Sequence, residues 1–346
     1  MEIKMELSNL QKEIVESDAD RIVVIASAAC GKTRVLTERV RHWLKQGIDP
    51  ADICCITFTN AAADEMRVRL AADYKDGMFI GTIHSLAARF LMRAGLKKEV
   101  DAAIDKDDFN TFFTLINKNR SYIEHFDYIL VDEAQDLSQD EYDFIFNMIK
   151  PACYFVVGDY RQNIYENRGS SSKFMLYLAN DPGTKQYSLN ENYRNGSNIL
   201  ARAKREIKKI GVLDDSIPMN RGGCVYEGPF HIDTLVDWIQ NTGKWGEWAI
   251  LCYTNKEKDY LRELLEDYDI ETMTFNLRRK TKKQLDELMK TNKVKVITIW
   301  GAKGLGFPHV AVYGCNWLTR QGKHKEGCRV DYVAYTRAMD TLMIFS

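Results

Sequence analysis

Apolar residues fall in short unbroken runs along the chain, separated by longer stretches where they recur at helical spacing. Arg21–Ala26, Asp52–Phe58, Tyr128–Val131 and Tyr154–Val157 are such runs. They lack the alternation of a half-exposed strand, as expected of strands buried on both faces. Thr33–Gln46 and Ala61–Ala72, between them, read as helices. Strand, helix and strand in succession predict a parallel sheet covered by helices. The pattern restarts at Trp248–Tyr253, followed by a helix over Lys256–Tyr268, strands at Lys293–Ile299 and Val310–Gly314, and a closing strand at Thr341–Phe345. The expectation is an α/β protein of two lobes, residues 1–188 and 189–346, divided near Gln186–Tyr193. The first lobe carries a small helical insertion, about 86–125, with aromatic positions at Phe109, Phe112 and Phe113. Asn276–Lys293 is short, basic and outside either sheet pattern.

The loop after the first strand reads Ala26-Ser27-Ala28-Ala29-Cys30-Gly31-Lys32-Thr33 and opens a helix. This is a P-loop pattern with Ala in its first position. In such a loop the backbone N–H groups of Ala28, Ala29, Cys30 and Gly31 and the helix start through Arg34 hold phosphate oxygens. Lys32 reaches the outer phosphates, and the Thr33 hydroxyl ligates Mg²⁺. A later strand ends in Val131-Asp132-Glu133-Ala134-Gln135-Asp136. Downstream of a P-loop, Asp132 is placed to hold the Mg²⁺ shell and Glu133 to polarise the attacking water. A third strand ends in Gly158-Asp159-Tyr160-Arg161-Gln162, where Gln162 is a candidate sensor of the γ-phosphate or of that water.

Composition narrows the rest. Of the 346 residues, 48 are Lys or Arg and 49 are Asp or Glu, so a nucleic-acid partner would have to be held by local positive charge. The eight cysteines form no CxxC pair and no zinc pattern, and their apolar settings suit small core residues in a reducing cytoplasm. The N-terminus is polar and unlike a signal peptide, and no apolar run approaches the ~20 residues of a membrane span.

Further blocks, in order, complete a family pattern. Leu10-Gln11 precedes the first strand. Thr57–Met66, Gly81-Thr82-Ile83-His84-Ser85, Leu130–Leu137, Val157–Tyr165, Leu189–Arg194, Ala249–Phe275, Thr298–Phe307 and Tyr332–Ala338 follow. The chain resembles the UvrD/Rep family of superfamily 1A DNA helicases over most of its length. The resemblance implies two RecA-like lobes and an ATP- and Mg²⁺-dependent motor on single-stranded DNA, moving 3′ to 5′ and able to work as a monomer. It implies that Gln11 reads the adenine edge, that Tyr193 stacks on the base, and that Arg194 and Arg337 reach the γ-phosphate from the second lobe. Lobe closure would then be tied to hydrolysis. The alternative for either arginine is a surface salt bridge.

For the DNA track the resemblance implies contacts from Phe58, Asn60, His84, Tyr165, Arg168, Thr254 and Asn255, with Trp300 as a further stacking candidate. Phe58 has core packing as its alternative, and His84 a satisfied core site. The basic runs Arg202–Lys209 and Arg278–Lys283 read as solvated faces, with phosphate contacts as the alternative. The chain also departs from the family. Ala29 stands where Gly is usual, Asn167 where a stacking aromatic precedes Arg-Gly, and Trp300-Gly301 where His-Ser is found. Gly306 stands where the family has Glu. The two large family insertions, which meet duplex DNA, shrink here to about 86–125 and 275–293, so contact with single-strand/duplex junctions and strand separation become open questions. Two other readings remain: a nucleotide-dependent DNA-binding or recruitment module without processive motion, and an RNA-dependent ATPase.

Overall fold

The computed structural model describes residues 6–71, 73, 77–106, 108–165, 169–275 and 282–346. The chain divides into two compact units. The first comprises Met1–Ala26, Lys32–Tyr160 and Tyr165–Leu189; the second comprises Ser27–Gly31, Arg161–Ile164 and Asn190–Ser346.

In the first unit the chain runs α1 (Asn9–Val15), β1 (Arg21–Ala26), α2 (Lys32–Lys45), β2 (Ile53–Thr57), α3 (Asn60–Arg69), β3 (Phe79–Thr82) and α4 (Ile83–Arg93). It continues through α5 (Lys97–Asp105), α6 (Asn110–Lys118), β4 (Tyr128–Val131), α7 (Gln139–Tyr142), β5 (Cys153–Gly158), α8 (Lys173–Ala179) and β6 (Lys185–Leu189). The strands form one sheet in the order β3-β2-β4-β5-β1-β6, every pairing parallel. β2 and β5 are buried along their whole length, which is why they read as unbroken apolar runs. Helix α2 buries Val35, Leu36, Val40 and Trp43, one face of a helix starting directly after the phosphate-type loop. One face of the sheet, with Cys54, Ile56 and Val131, packs on Phe90, Phe112 and Phe144.

The second unit runs β7 (Glu191–Gly196), α9 (Ser197–Lys208), β8 (Ile217–Asn220), β9 (Cys224–Gly228), α10 (Ile232–Thr242), β10 (Trp248–Cys252) and α11 (Asn255–Glu266). It ends with β11 (Thr272–Met273), α12 (Lys282–Met289), β12 (Val294–Thr298), β13 (Phe307–Tyr313), α13 (Trp317–Arg320), α14 (His324–Tyr335) and β14 (Ala338–Phe345). Its sheet has the order β11-β12-β10-β13-β14-β9, again parallel throughout, and β7 and β8 form a separate parallel pair. Trp248, Ile250, Leu261, Val296 and Met343 lie in its own core.

The insertion around 86–125 is three short helices, α4 to α6. In the basic stretch, α12 covers Lys282–Met289; Arg278, Arg279 and Lys280 lie outside the described residues. Strands β3, β6, β9 and β11 were not expected from the apolar runs. β6 and β9 are sheet edges with exposed positions along them, and β11 is two residues long, so none carries a continuous apolar signal. Among the described residues no helix is long and apolar enough to cross a membrane.

Candidate nucleotide and nucleic-acid sites

The loop between β1 and α2 contains two left-handed residues, Ala29 at φ +57° and Gly31 at φ +80°. Left-handed residues in a tight loop turn successive N–H groups toward one side, the backbone shape that receives an anion. Ala28 and Cys30 are buried, so the loop packs through its small side chains. In the first unit, Lys32 Nζ lies 3.1 Å from Glu133 Oε1. Glu133 is itself left-handed, at φ +52°. Its other oxygen accepts a 2.6 Å bond from Gln135 Nε2. The preceding Asp132 receives the Glu133 N–H on Oδ1 at 2.9 Å, while its own N–H donates to the Ile56 carbonyl of β2. The acidic pair is thus held at the C-terminal end of β4. Burial first, and the Glu133 charge second, push the Asp132 carboxyl above the usual carboxylate range.

Gln135 lies two residues beyond Glu133, in the same block. It is fully buried, and its Oε1 accepts the Asp159 N–H at 2.9 Å. It therefore links Glu133 to the end of β5. Gly158 makes room for it: a Cβ there would stand 2.6 Å from Gln135 Oε1. Gln11, at the N3 position of α1, is buried and returns its side-chain oxygen to the Ser8 N–H at 3.1 Å, completing a capping box. The Thr33 carbonyl accepts from Thr37 Oγ1, and Arg34, the third residue of α2, is half-buried.

In the second unit Arg337 is buried, which excludes the surface salt bridge as its reading. Its Nη2 donates to Gln162 Oε1 at 3.0 Å, its Nη1 to the Leu305 carbonyl at 3.1 Å and its Nε to the Val333 carbonyl at 2.9 Å. Arg194 Nη1 donates to the same Leu305 carbonyl at 3.1 Å. Lys303, also buried, donates to the Gln162 carbonyl at 3.0 Å. Gln162, Arg194 and Arg337 are therefore one cluster. Tyr193 donates its hydroxyl to Glu191, and its N–H meets the Ala29 carbonyl at 3.0 Å. Buried Asn192 and Asn195 tie this segment to the Ala28 carbonyl on one side and to the Thr336 carbonyl on the other, a network with no signal in the sequence beyond its block.

The UvrD/REP helicase N-terminal domain matches residues 7–121 and 103–183, and the UvrD-like helicase C-terminal domain matches residues 251–346. The chain belongs to the UvrD/REP helicase family. A probable DNA helicase of Mycoplasma pneumoniae is 25% identical across 98% of this chain and 83% of its own length. DNA helicase II of Escherichia coli is 27% identical over 75% of the chain, and the ATP-dependent DNA helicase PcrA of Staphylococcus epidermidis 25% identical over 74%. The chain matches only 50% and 49% of the length of these last two. Its two helix-flanked parallel sheets are the RecA-like domains of the UvrD/REP family.

The residues that the UvrD/REP resemblance assigns to DNA are less uniform. Phe58 is half-buried, its ring 5.2 Å from that of Tyr165, which is itself buried. Asn60 is exposed at the start of α3. His84 lies among the rings of Phe109, Phe112 and Phe113, the nearest centroid 4.8 Å away, with Glu141 at 3.7 Å. Thr254 spends its hydroxyl on capping α11, accepting the Glu257 N–H at 3.1 Å, while Asn255 is exposed beside it. Trp300 donates Nε1–H to the Ile164 carbonyl at 3.1 Å. Arg168 and Asn167 lie outside the described residues. The run Arg202–Lys209 is not a simple solvated face: Arg202 pairs with Glu206 and Glu227, and Lys209 pairs with buried Glu206.

Proposed function

We propose that the chain is an ATP-dependent DNA helicase or translocase that moves along single-stranded DNA from 3′ to 5′. The observation that carries this reading is the cluster of buried Arg337, buried Gln162 and half-buried Arg194 around the Leu305 carbonyl. Two arginines gathered beside a glutamine, one of them buried, suit the charge that develops in phosphoryl transfer, and arginines in this role contribute ~10³–10⁵ in rate. Lys32 receives the outer phosphates in exchange for its bond to Glu133. Glu133, so released, polarises the attacking water, and Gln135 keeps its carboxylate oriented. Gln162 senses the γ-phosphate or that water. Gln11 and Tyr193 hold the adenine, and the Ala28–Arg34 segment holds the phosphates.

The Thr33 hydroxyl and the Asp132 carboxylate are hard oxygen donors, and the crowding of Asp132 against Glu133 is what a divalent cation relieves. Mg²⁺ held there supplies charge neutralisation at the β- and γ-phosphates. Closure of the lobes couples hydrolysis to stepping. Phe58, Asn60, His84, Tyr165, Arg168, Asn255 and Trp300 provide the single-strand track, including at duplex junctions; Thr254 acts through its cap. The protein works as a cytoplasmic monomer.

Steady-state ATPase activity with and without single-stranded DNA tests this, with Lys32→Ala as blank. Strong stimulation is expected, abolished by Lys32→Ala and reduced about 10²–10⁴-fold in kcat by Glu133→Gln with ATP binding retained. Glu133→Gln turnover at the wild-type rate would sink the catalytic assignment. ATP binding without DNA stimulation would favour a nucleotide-dependent DNA-binding or recruitment module, the reading that Gly306 and Trp300 in the block Thr298–Phe307 support. Stronger stimulation by RNA than by DNA would move the substrate to RNA.

A further inference from the structure

Leu305 and Gly306 connect the short turn Trp300–Ala302 to β13. The Leu305 carbonyl accepts from Arg194 Nη1 and from Arg337 Nη1, each at 3.1 Å. One side chain comes from β7 and the other follows α14, so a single backbone oxygen registers two guanidiniums that are distant in sequence. The adjacent Gly306 leaves the space for this. A Cβ there would stand 2.7 Å from Arg194 Nε, 3.0 Å from its Cδ and 3.1 Å from its Cζ, and all three nearest atoms belong to that side chain. Gly306 has no left-handed φ, so its backbone does not itself require glycine. Gly304, at φ +86°, is the opposite case: it shapes the turn, and a Cβ there meets nothing within 4 Å. The absent side chain at 306 therefore serves Arg194.

We infer that Gly306 is a positioning residue, which by leaving its side-chain space to Arg194 sets that guanidinium on the Leu305 carbonyl in register with Arg337. The inference rests on the proposed roles of the two arginines in phosphoryl transfer. Since the crowded atoms are the far end of a flexible side chain, Gly306→Ala displaces Arg194 rather than the backbone.

The test compares Gly306→Ala, Arg194→Ala and the double variant in DNA-stimulated ATPase assays. Gly306→Ala should lower kcat by at least about tenfold with KM for ATP within about twofold. The double variant should be no slower than Arg194→Ala alone, because both changes remove one interaction. Losses that multiply, or a kcat within about twofold of wild type, overturn the inference. A purely structural role would move melting temperature, KM and kcat together, and that also overturns it. A second readout needs no turnover: the side-chain Nε–H resonance of Arg194, assigned with Arg194→Lys, should shift in Gly306→Ala and keep its place if Gly306 does not act on Arg194. If the wild-type protein hydrolyses no ATP, the proposed function fails, and the resonance still decides the placement.

Discussion

Ala29 holds a left-handed backbone at φ +57°, a conformation that costs an L-residue about 1–2 kcal/mol and glycine almost nothing. The position is fixed from outside the loop: the Ala29 carbonyl receives the Tyr193 N–H at 3.0 Å, and neighbouring Ala28 and Cys30 are buried. The chain thus keeps this left-handed shape without glycine, at some cost in strain. Ala29→Gly should therefore stabilise the protein by up to about 1 kcal/mol, the gain being limited by the greater freedom of glycine in the unfolded chain. Ala29→Val should destabilise it, since a β-branched residue tolerates positive φ least. Urea midpoints of the two variants check this, and a lower midpoint for Ala29→Gly would mean that the loop does not hold this shape in solution.

At the scale of elements, the capping of α11 separates structure from a DNA role. Thr254 and Glu257 form a reciprocal capping box, whereas Asn255 is exposed and its Oδ1 accepts a 3.2 Å bond from Lys258 Nζ. Thr254→Ala should cost about 1 kcal/mol through the lost cap, with or without DNA. Asn255→Ala should change stability by less than about 0.5 kcal/mol and weaken binding to a fluorescent single-stranded oligonucleotide. Denaturation and anisotropy titrations on the same two variants read the two effects; unchanged oligonucleotide affinity for Asn255→Ala would remove it from the track. The same distinction explains what was legible in the sequence. Strands with both faces buried, such as β2, β4, β5 and β10, stand out as apolar runs. Edge strands such as β6 and β9 do not, since exposed residues interrupt them and neither is buried along its length. The phosphate loop and the acidic pair carry their chemistry in adjacent residues. Gln135 with Asp159, Lys303 with Gln162, Asn192 with Ala28 and Asn195 with Thr336 are pairs brought close only by the fold, so no spacing announces them.

Each of the two units has a hydrophobic core of its own, and the second unit buries an acid that the proposed chemistry does not use. Asp331 is fully buried; it accepts a hydrogen bond from the Tyr253 hydroxyl on Oδ1 and the Asn316 N–H on Oδ2, with the Glu206 carboxylate and the Lys209 ammonium also acting on it. Burial is the main cause that pushes its carboxyl up to about 7 from 3.8, with Glu206 acting in the same direction. A folded-state value above the unfolded one means that the folded protein binds this proton more tightly. The stabilisation is therefore fully present below about pH 4 and is lost as the pH rises through about 7. Asp331→Asn keeps the shape of the neutral acid and cannot ionise, so it should abolish that loss. Between about pH 5 and pH 8 the wild-type second unit should lose stability relative to Asp331→Asn by an amount on the order of a few kcal/mol, while the first unit follows one common profile in both proteins. Thermal unfolding across that range, followed by a probe in each unit, measures it. Parallel pH profiles for the second unit of the two proteins would show that Asp331 stays ionised throughout, with its charge carried by Lys209 and the surrounding hydrogen bonds.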